Sequence, residues 1–338
     1  MKLTRIFQAL VCTAALYAAA AVPAHAQKVI RYAHFHPAQM DMSNHAAAVA
    51  FKEHVEKKTN GSLAVQIYPA GQLGTAQQIM EGLRLGSVQY ATVHEGGIAS
   101  IYRTFNIFGM PFVFDSHEHA YKVLDGDFGK DLSVDFLKRT GIRLVGFADN
   151  GLRHFTNSKR PIKTPEDLKG LKIRVQPSPV FIEMINAFGA SPTAIDWSET
   201  PTALAQGTAD GQENAVMTIL SASLYQSQKH ITLDGHMYGQ FAYMVNDRFY
   251  KGLTALEREA VDEGGQIAIK IHRDITRELD LSAKEVLGGK GMIVTELTPA
   301  EVDRFRAVAQ PPVRKYLETS ISKEWTDKLI KAAEVARQ

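Results

Sequence analysis

Two arginines in residues 149–175 (DNGLRHFTNSKRPIKTPEDLKGLKIRV) have the setting in which a guanidinium does chemistry. Arg153 stands just after an apolar strand expected over 142–148, in what reads as an extended turn leaving it. Arg174 lies among Leu171, Ile173 and Val175 in a segment that reads as a buried strand. A guanidinium presents five N–H donors in a planar fork that matches a carboxylate bidentately. A buried one needs an anion, which is either an internal Asp or Glu or the carboxylate of a bound molecule. The residues alone leave both sources open.

Other residues offer weaker chemistry. Gln212-Glu213-Asn214 reads as the start of a helix over 215–228, where Asn214 either presents an amide to a ligand oxygen or caps the helix. Trp197, Tyr238 and Tyr243 suit either an apolar ligand wall or the core. Twelve histidines invite a metal reading, and His34/His36 and His117/His119 have His-x-His spacing. No HExxH occurs, so no metal is expected, and His117-Glu118-His119 reads as a solvated helix start. No phosphate-binding glycine loop and no G-x-S-x-G elbow is present, so no nucleotide or cofactor is expected. An acid–base pair drawn from His94, Glu95 and His36 keeps an exported lyase or hydrolase open as an alternative.

The elements that position these residues alternate. Strands are expected over 29–34, 63–68, 88–93, 142–148, 171–175, 192–195 and 241–245, with helices between them. Thr164, Pro165 and Asp167 form a Thr-x-x-Asp box that opens a short helix ended by Gly170. Arg153 and Arg174 are thus expected on neighbouring strands of one unit. Residues 254–287 read as one helix of over thirty residues, long enough to cross a domain boundary. The alternation argues for parallel βαβ units in two α/β domains, joined near Asp149 and again near Gly239. Ligands of such sheets sit beyond the carboxyl ends of strands, where His36, His94, Glu95, Arg153 and Asn214 fall.

Bulk composition narrows the class. Lys2 and Arg5, an apolar run over 6–22 and Ala24-His25-Ala26 make residues 1–26 a Sec-type signal peptide with an A-x-A cleavage site. The single cysteine, Cys12, lies within it, so the mature chain offers no disulfide and no cysteine nucleophile. Removing Lys2 and Arg5 from the 38 basic side chains leaves 36 against 36 acidic ones. A formally neutral chain argues against nucleic acid as a partner.

The ordered segments YPAGQLG, IMEGLRLGSVQ, PFVF, NGLRHFTNSKRPIKTPEDLKGLKIRV, GASPTAIDWSE and ALAQGTADGQEN resemble the solute-binding proteins of tripartite ATP-independent periplasmic (TRAP) transporters. The likeness runs from Val29 to the C-terminal helices. It implies an α/β, two-lobed periplasmic binding protein with βαβ lobes and a long helix spanning both. Lobe I would comprise 27–150 with 239–282, and lobe II 151–238 with 283–338. The implied function is capture of an organic acid, a sugar acid among the options, and delivery to membrane permease subunits driven by a sodium gradient. Neither catalysis nor a cofactor is implied. The arginine of the Lys-Ile-Arg-Val strand, Arg174, would hold the ligand carboxylate, supported by Arg153, Asn214 and Trp197. His94 or Glu95 would face the far end, with His36 and Tyr238 nearby. The family commonly has proline after Gly-Gln-Glu-Asn, where this chain has Ala215. A uronate or aldonate, a C4-dicarboxylate and an aromatic acid all remain open, as does a receptor that signals to a membrane sensor.

Overall fold

The computed structural model describes residues 27–338, so the expected signal peptide and Cys12 lie outside the described residues. One mixed sheet of nine strands forms its centre. At one end β1 (Lys28–Ala33), β2 (Leu63–Tyr68) and β3 (Tyr90–His94) run parallel. The chain then enters β4 (Ile142–Asn157), and next builds the opposite end from β5 (Lys172–Val175), β6 (Ser191–Ala194) and β7 (Gly211–Ala215), again parallel. It returns along β8 (His230–Asn246), and β9 (Ile293–Glu296) joins β8. The full order is β2-β1-β3-β8-β4-β7-β5-β6.

The α/β class and two-ended organisation match the sequence reading, but the two halves share one sheet. β4 and β8, of 16 and 17 residues, pair antiparallel and run through both ends. The sequence divides each of them because Asp149-Asn150-Gly151 and Asp234-Gly235 carry the composition of turns. In the fold these are bulges, with register shifts at Asp149/Gly151 and Arg153/Phe155. Side chains satisfy the backbone there: the N–H of Phe155 donates to Asp234 Oδ1 at 3.3 Å, and that of Gly235 to His154 Nδ1 at 3.0 Å. Gly151 has φ of +109°, and a Cβ on it would lie 2.6 Å from Asp280 Oδ2.

Two further corrections bear on the site. β7 lies between β4 and β5, so Arg153 and Arg174 are not on neighbouring strands. Gln212, Glu213 and Asn214 belong to β7 rather than to a helix entry, and the helix expected over 215–228 is the short Val216–Ser221.

The long helix, Ala255–Leu281, is opened by a Thr254/Glu257 capping box and ends at Ser282. A second helix, Ala283–Gly289, continues from it, so the expected single run over 254–287 is two pieces. At 1.5 Å per residue the first spans roughly 40 Å, packing on β4 and on the Ser43–Lys58 helix. The largest core cluster joins Phe105, Phe108, Phe136 and Phe181 to Phe305 and Trp325 of the C-terminal helices. Smaller clusters lie beneath the long helix, around Phe51 and Tyr243, and near Leu287. Among the described residues no helix is long and apolar enough to cross a membrane.

Candidate functional site

A cavity of about 760 Å³ opens at the strand ends, lined by residues from both ends of the sheet. Arg174 projects into it because β5 alternates: Ile173 and Val175 join the core, and the residue between them faces the other way. Arg174 is only 2% exposed. Its Nε and Nη2 both donate to the carbonyl of Ile195, at 3.0 and 2.8 Å, and its Cζ lies 5.8 Å from the Trp197 ring centre. Among the described residues no carboxylate comes within ion-pair distance of it, whereas Arg153 has one. Burial pulls the Arg174 guanidinium down to about 10, with Arg153 adding to the fall and Glu213 and Asp196 opposing it.

Arg153 has the opposite surroundings. Its Nε and Nη2 grip the carboxylate of Glu213 at 2.6 and 2.7 Å, and Nη2 also donates to the Glu213 carbonyl at 2.9 Å. Glu213 in turn faces His236 Nε2 at 3.4 Å, and His236 Nδ1 lies 2.8 Å from Asp234. All four side chains are buried. Burial acts to lower the His236 pKa, but Asp234 and Glu213 outweigh it and lift it to about 9. The result is an alternating row of charges, Arg153, Glu213, His236 and Asp234, roofed by Phe155 stacked on His236 at 4.3 Å.

Asn214 also reaches the cavity. Its Oδ1 accepts from the Ala215 N–H at 3.1 Å and from Asn150 Nδ2 at 3.5 Å, while its own amide nitrogen makes no hydrogen bond to the described residues. Thr218 Oγ1 donates to Asn150 Oδ1 at 2.8 Å and fixes that amide's orientation. Trp197 begins a short 3-10 turn capped by Asp196 and forms part of the wall beside Arg174.

On the β3 side, His94 lines the cavity and caps the five-residue helix Glu95–Ala99, its Nδ1 accepting from the Gly97 N–H at 3.3 Å. Burial, together with Arg153 and Arg174, pulls the His94 pKa down to about 4. His36, also on the wall, meets Phe241 edge-on at 5.7 Å and accepts the Asn44 N–H on Nδ1 at 3.5 Å. Its Nε2 is buried with no partner among the described residues.

Two expected residues sit off the wall. Glu95 is buried behind Gln176, whose Nε2 donates to it at 3.0 Å; burial raises the Glu95 pKa, and its second oxygen has no partner. Tyr238 turns away from the cavity and donates its hydroxyl to Asp149, as does Tyr121. His117 joins them between Asp149 and Asp280, at 3.1 Å from each. Burial lowers its pKa, yet the two carboxylates lift it to about 9. His117 and His119 are therefore buried structural groups rather than a solvated helix start. Among the described residues no group of three or more His, Cys, Asp or Glu is placed to hold a metal.

Sequence reasoning missed Gln176, Asn150 and Thr218. Gln176 lies two residues beyond Arg174, and its contact with the β3 end leaves no room for a side chain at Gly96: a Cβ there would overlap Gln176 Oε1. That contact ties one end of the sheet to the other across the cavity. The arrangement sets the free donors of one guanidinium, Arg174, beside amides, hydroxyls and one indole on the same wall, a donor set that can match an anion.

The family model described as bacterial extracellular solute-binding protein, family 7, matches residues 32–320. The 2,3-diketo-L-gulonate-binding periplasmic protein YiaO of Escherichia coli is 34% identical over 70% of this chain and 72% of its own length. The C4-dicarboxylate-binding periplasmic protein DctP of Rhodobacter capsulatus is 32% identical over 92% and 93%. Among solved structures, the sugar acid binding protein of Advenella mimigardefordensis in complex with galactonate superposes with a TM-score of 0.86. It is 29% identical, covering 91% of this chain and 98% of that one.

Proposed function

We infer the role of this chain from one premise: it belongs to the bacterial extracellular solute-binding protein family 7. In our reading the chain works in the periplasm after losing residues 1–26. It captures an organic acid and presents it to the membrane permease of a TRAP transporter without altering it chemically. Arg174 anchors the ligand carboxylate, the Asn214 amide supports it, and Trp197 covers the carbon face. Arg153 acts from behind, as one end of the charge row. The observation that carries this reading is Arg174 itself: a buried cation on the wall of an open cavity, with one carbonyl as its only hydrogen-bond partner among the described residues. Leaving such a group without an anion is costly, and a bidentate carboxylate matches its unused donors.

The lobes we propose are 27–150 with 239–282 and 151–238 with 283–338. Gly151 and Gly239 face each other in the β4–β8 pairing at that division, and the long helix breaks at Ser282. Both features support closure about this line. Amides, hydroxyls and an indole around one cation favour a hydroxylated acid, of the sugar-acid class. Arg174→Ala should weaken binding of such an acid by about 2–5 kcal/mol, measured by calorimetry after a thermal-shift screen of sugar acids. Unchanged affinity in a folded variant would remove Arg174 as the anchor. Recovery of the ligand chemically altered after incubation would favour an enzyme instead.

A further inference from the structure

We propose that this cavity accepts monocarboxylates and rejects dicarboxylates, including the diacid that differs from a bound sugar acid only at its far carbon. The inference rests on Arg174 as the carboxylate anchor and asks what remains to neutralise a second charge. Six titratable side chains line the cavity: His36, His94, Arg153, Arg174, Asp196 and Glu199. Arg153 is already neutralised by the bidentate grip of Glu213. Asp196 and Glu199 are acids and cannot neutralise a second anion.

The two histidines supply no charge, and geometry says so before any titration does. A ring nitrogen that accepts a backbone N–H must hold a lone pair. His94 Nδ1 accepts from Gly97 at 3.3 Å and His36 Nδ1 from Asn44 at 3.5 Å, which puts each ring's proton on Nε2 in a neutral tautomer. Burial opposes protonation of both rings as well. Among the described residues no lysine lines the cavity. Arg174 is therefore the single wall cation among them without an acid partner.

One feature opposes the proposal, the N-terminus of the Ala76–Leu85 helix, which reaches the wall through Thr75, Ala76, Gln77 and Gln78. Its partial charge is about half a unit, and the Thr75/Gln78 capping box already occupies the Gln78 N–H. A full carboxylate drawn out of water needs more than that. A hydroxyl does not: it is neutral, and it both donates and accepts. The far wall suits hydroxyls, with the Gln77 amide, the Thr75 hydroxyl and the buried, unpartnered Nε2–H of His36 as neutral partners.

The test uses matched pairs that differ only at the far carbon: galactonate with galactarate, erythronate with meso-tartrate, and 4-hydroxybutanoate with succinate. Each is titrated by calorimetry at neutral pH into mature protein freed of copurifying ligand. Within each pair that binds, the monoacid should be tighter by at least roughly 30-fold. Gln77→Arg, an exposed position, sets a cation on the far wall and should shrink the galactonate–galactarate gap to about threefold or less. A diacid that binds wild-type protein as tightly as its monoacid overturns the proposal. If that diacid is then lost in Arg174→Ala, the anchor stands and only the charge argument fails. Binding that is indifferent to Arg174→Ala, or absent for every monoacid, overturns both readings.

Discussion

Arg153 and Arg174 are equally hidden, at 3% and 2% exposure, yet they lie in opposite kinds of region. Around Arg153 every charge has an opposite neighbour, through Glu213 and His236 to Asp234. Around Arg174 there is one carbonyl, one indole and open space. Burial alone therefore does not separate the two arginines, whereas an inventory of their donors does. The first region holds β4, β7 and β8 together; the second leaves β5 with a cation that has no carboxylate within ion-pair distance among the described residues.

The comparison breaks most directly through stability. Glu213→Gln strands Arg153 and leaves His236 with Asp234 alone, and a buried ion left without its partner typically costs about 3–5 kcal/mol. Urea denaturation of the unliganded protein should show a loss of that size. Arg174→Met removes a desolvated cation and two hydrogen bonds, so the same measurement should stay within about 1 kcal/mol of wild type. Equal losses in the two variants would mean that Arg174 is also a structural ion, and the contrast would fail.

The same contrast explains what the sequence disclosed. The Arg174 strand was legible because it is local: Ile173 and Val175 flank the arginine, and Thr164 with Asp167 builds the expected capping box just before it, around a 3-10 turn. The partner of Arg153 was not legible, because Glu213 lies 60 residues away and arrives through the antiparallel pairing of β4 with β7. Asn214 was placed at the cavity on family order although it reads as the entry to a helix over 215–228 rather than as a residue of a strand. Tyr238 failed for a further reason. It sits just past the bulge in β8, where each inserted residue turns the following side chains to the opposite face. Glu95 was displaced from the wall by Gln176, whose reach from β5 no local pattern encodes.

Histidines sharpen the comparison at the next level. Burial pulls His34 to about 3, and His36 and His94 to about 4, so these rings are neutral in the fold. His117 and His236, set between carboxylates, are held charged up to about 9. The first group has depressed folded values. Its stability is complete above the unfolded value of about 6.5 and is lost as pH falls toward 4, by up to about 1.4 kcal/mol per pH unit for each ring. The second group has raised folded values. Its contribution is complete below about 6.5 and is lost as pH rises through 9. Unfolding free energy should thus peak near pH 6.5 and fall more steeply on the acid side. His94→Gln should flatten the acid limb between about pH 5 and 6.5, and His117→Gln should flatten the alkaline limb. An acid limb unchanged by His94→Gln would show that His94 is charged in the fold.

The smallest effect concerns the contact that ties the two regions to the β3 end. Gln176 follows the Arg174 strand and donates to Glu95, and Gly96 leaves it the space to do so. In Gly96→Ala the overlapping atom is the end of a flexible amide, so the amide yields and the backbone does not. Stability should hardly change. The bridge across the cavity should weaken by about one neutral hydrogen bond, roughly 0.5–1.5 kcal/mol, appearing as a faster ligand off-rate with Arg174 still engaged. Gln176→Ala removes the same bridge from the other side. The two substitutions combined should therefore cost no more than either alone, because interactions lost together are not additive. Fully additive losses in stopped-flow release would mean that Gly96 and Gln176 act separately, and that closure over Arg174 depends on other contacts.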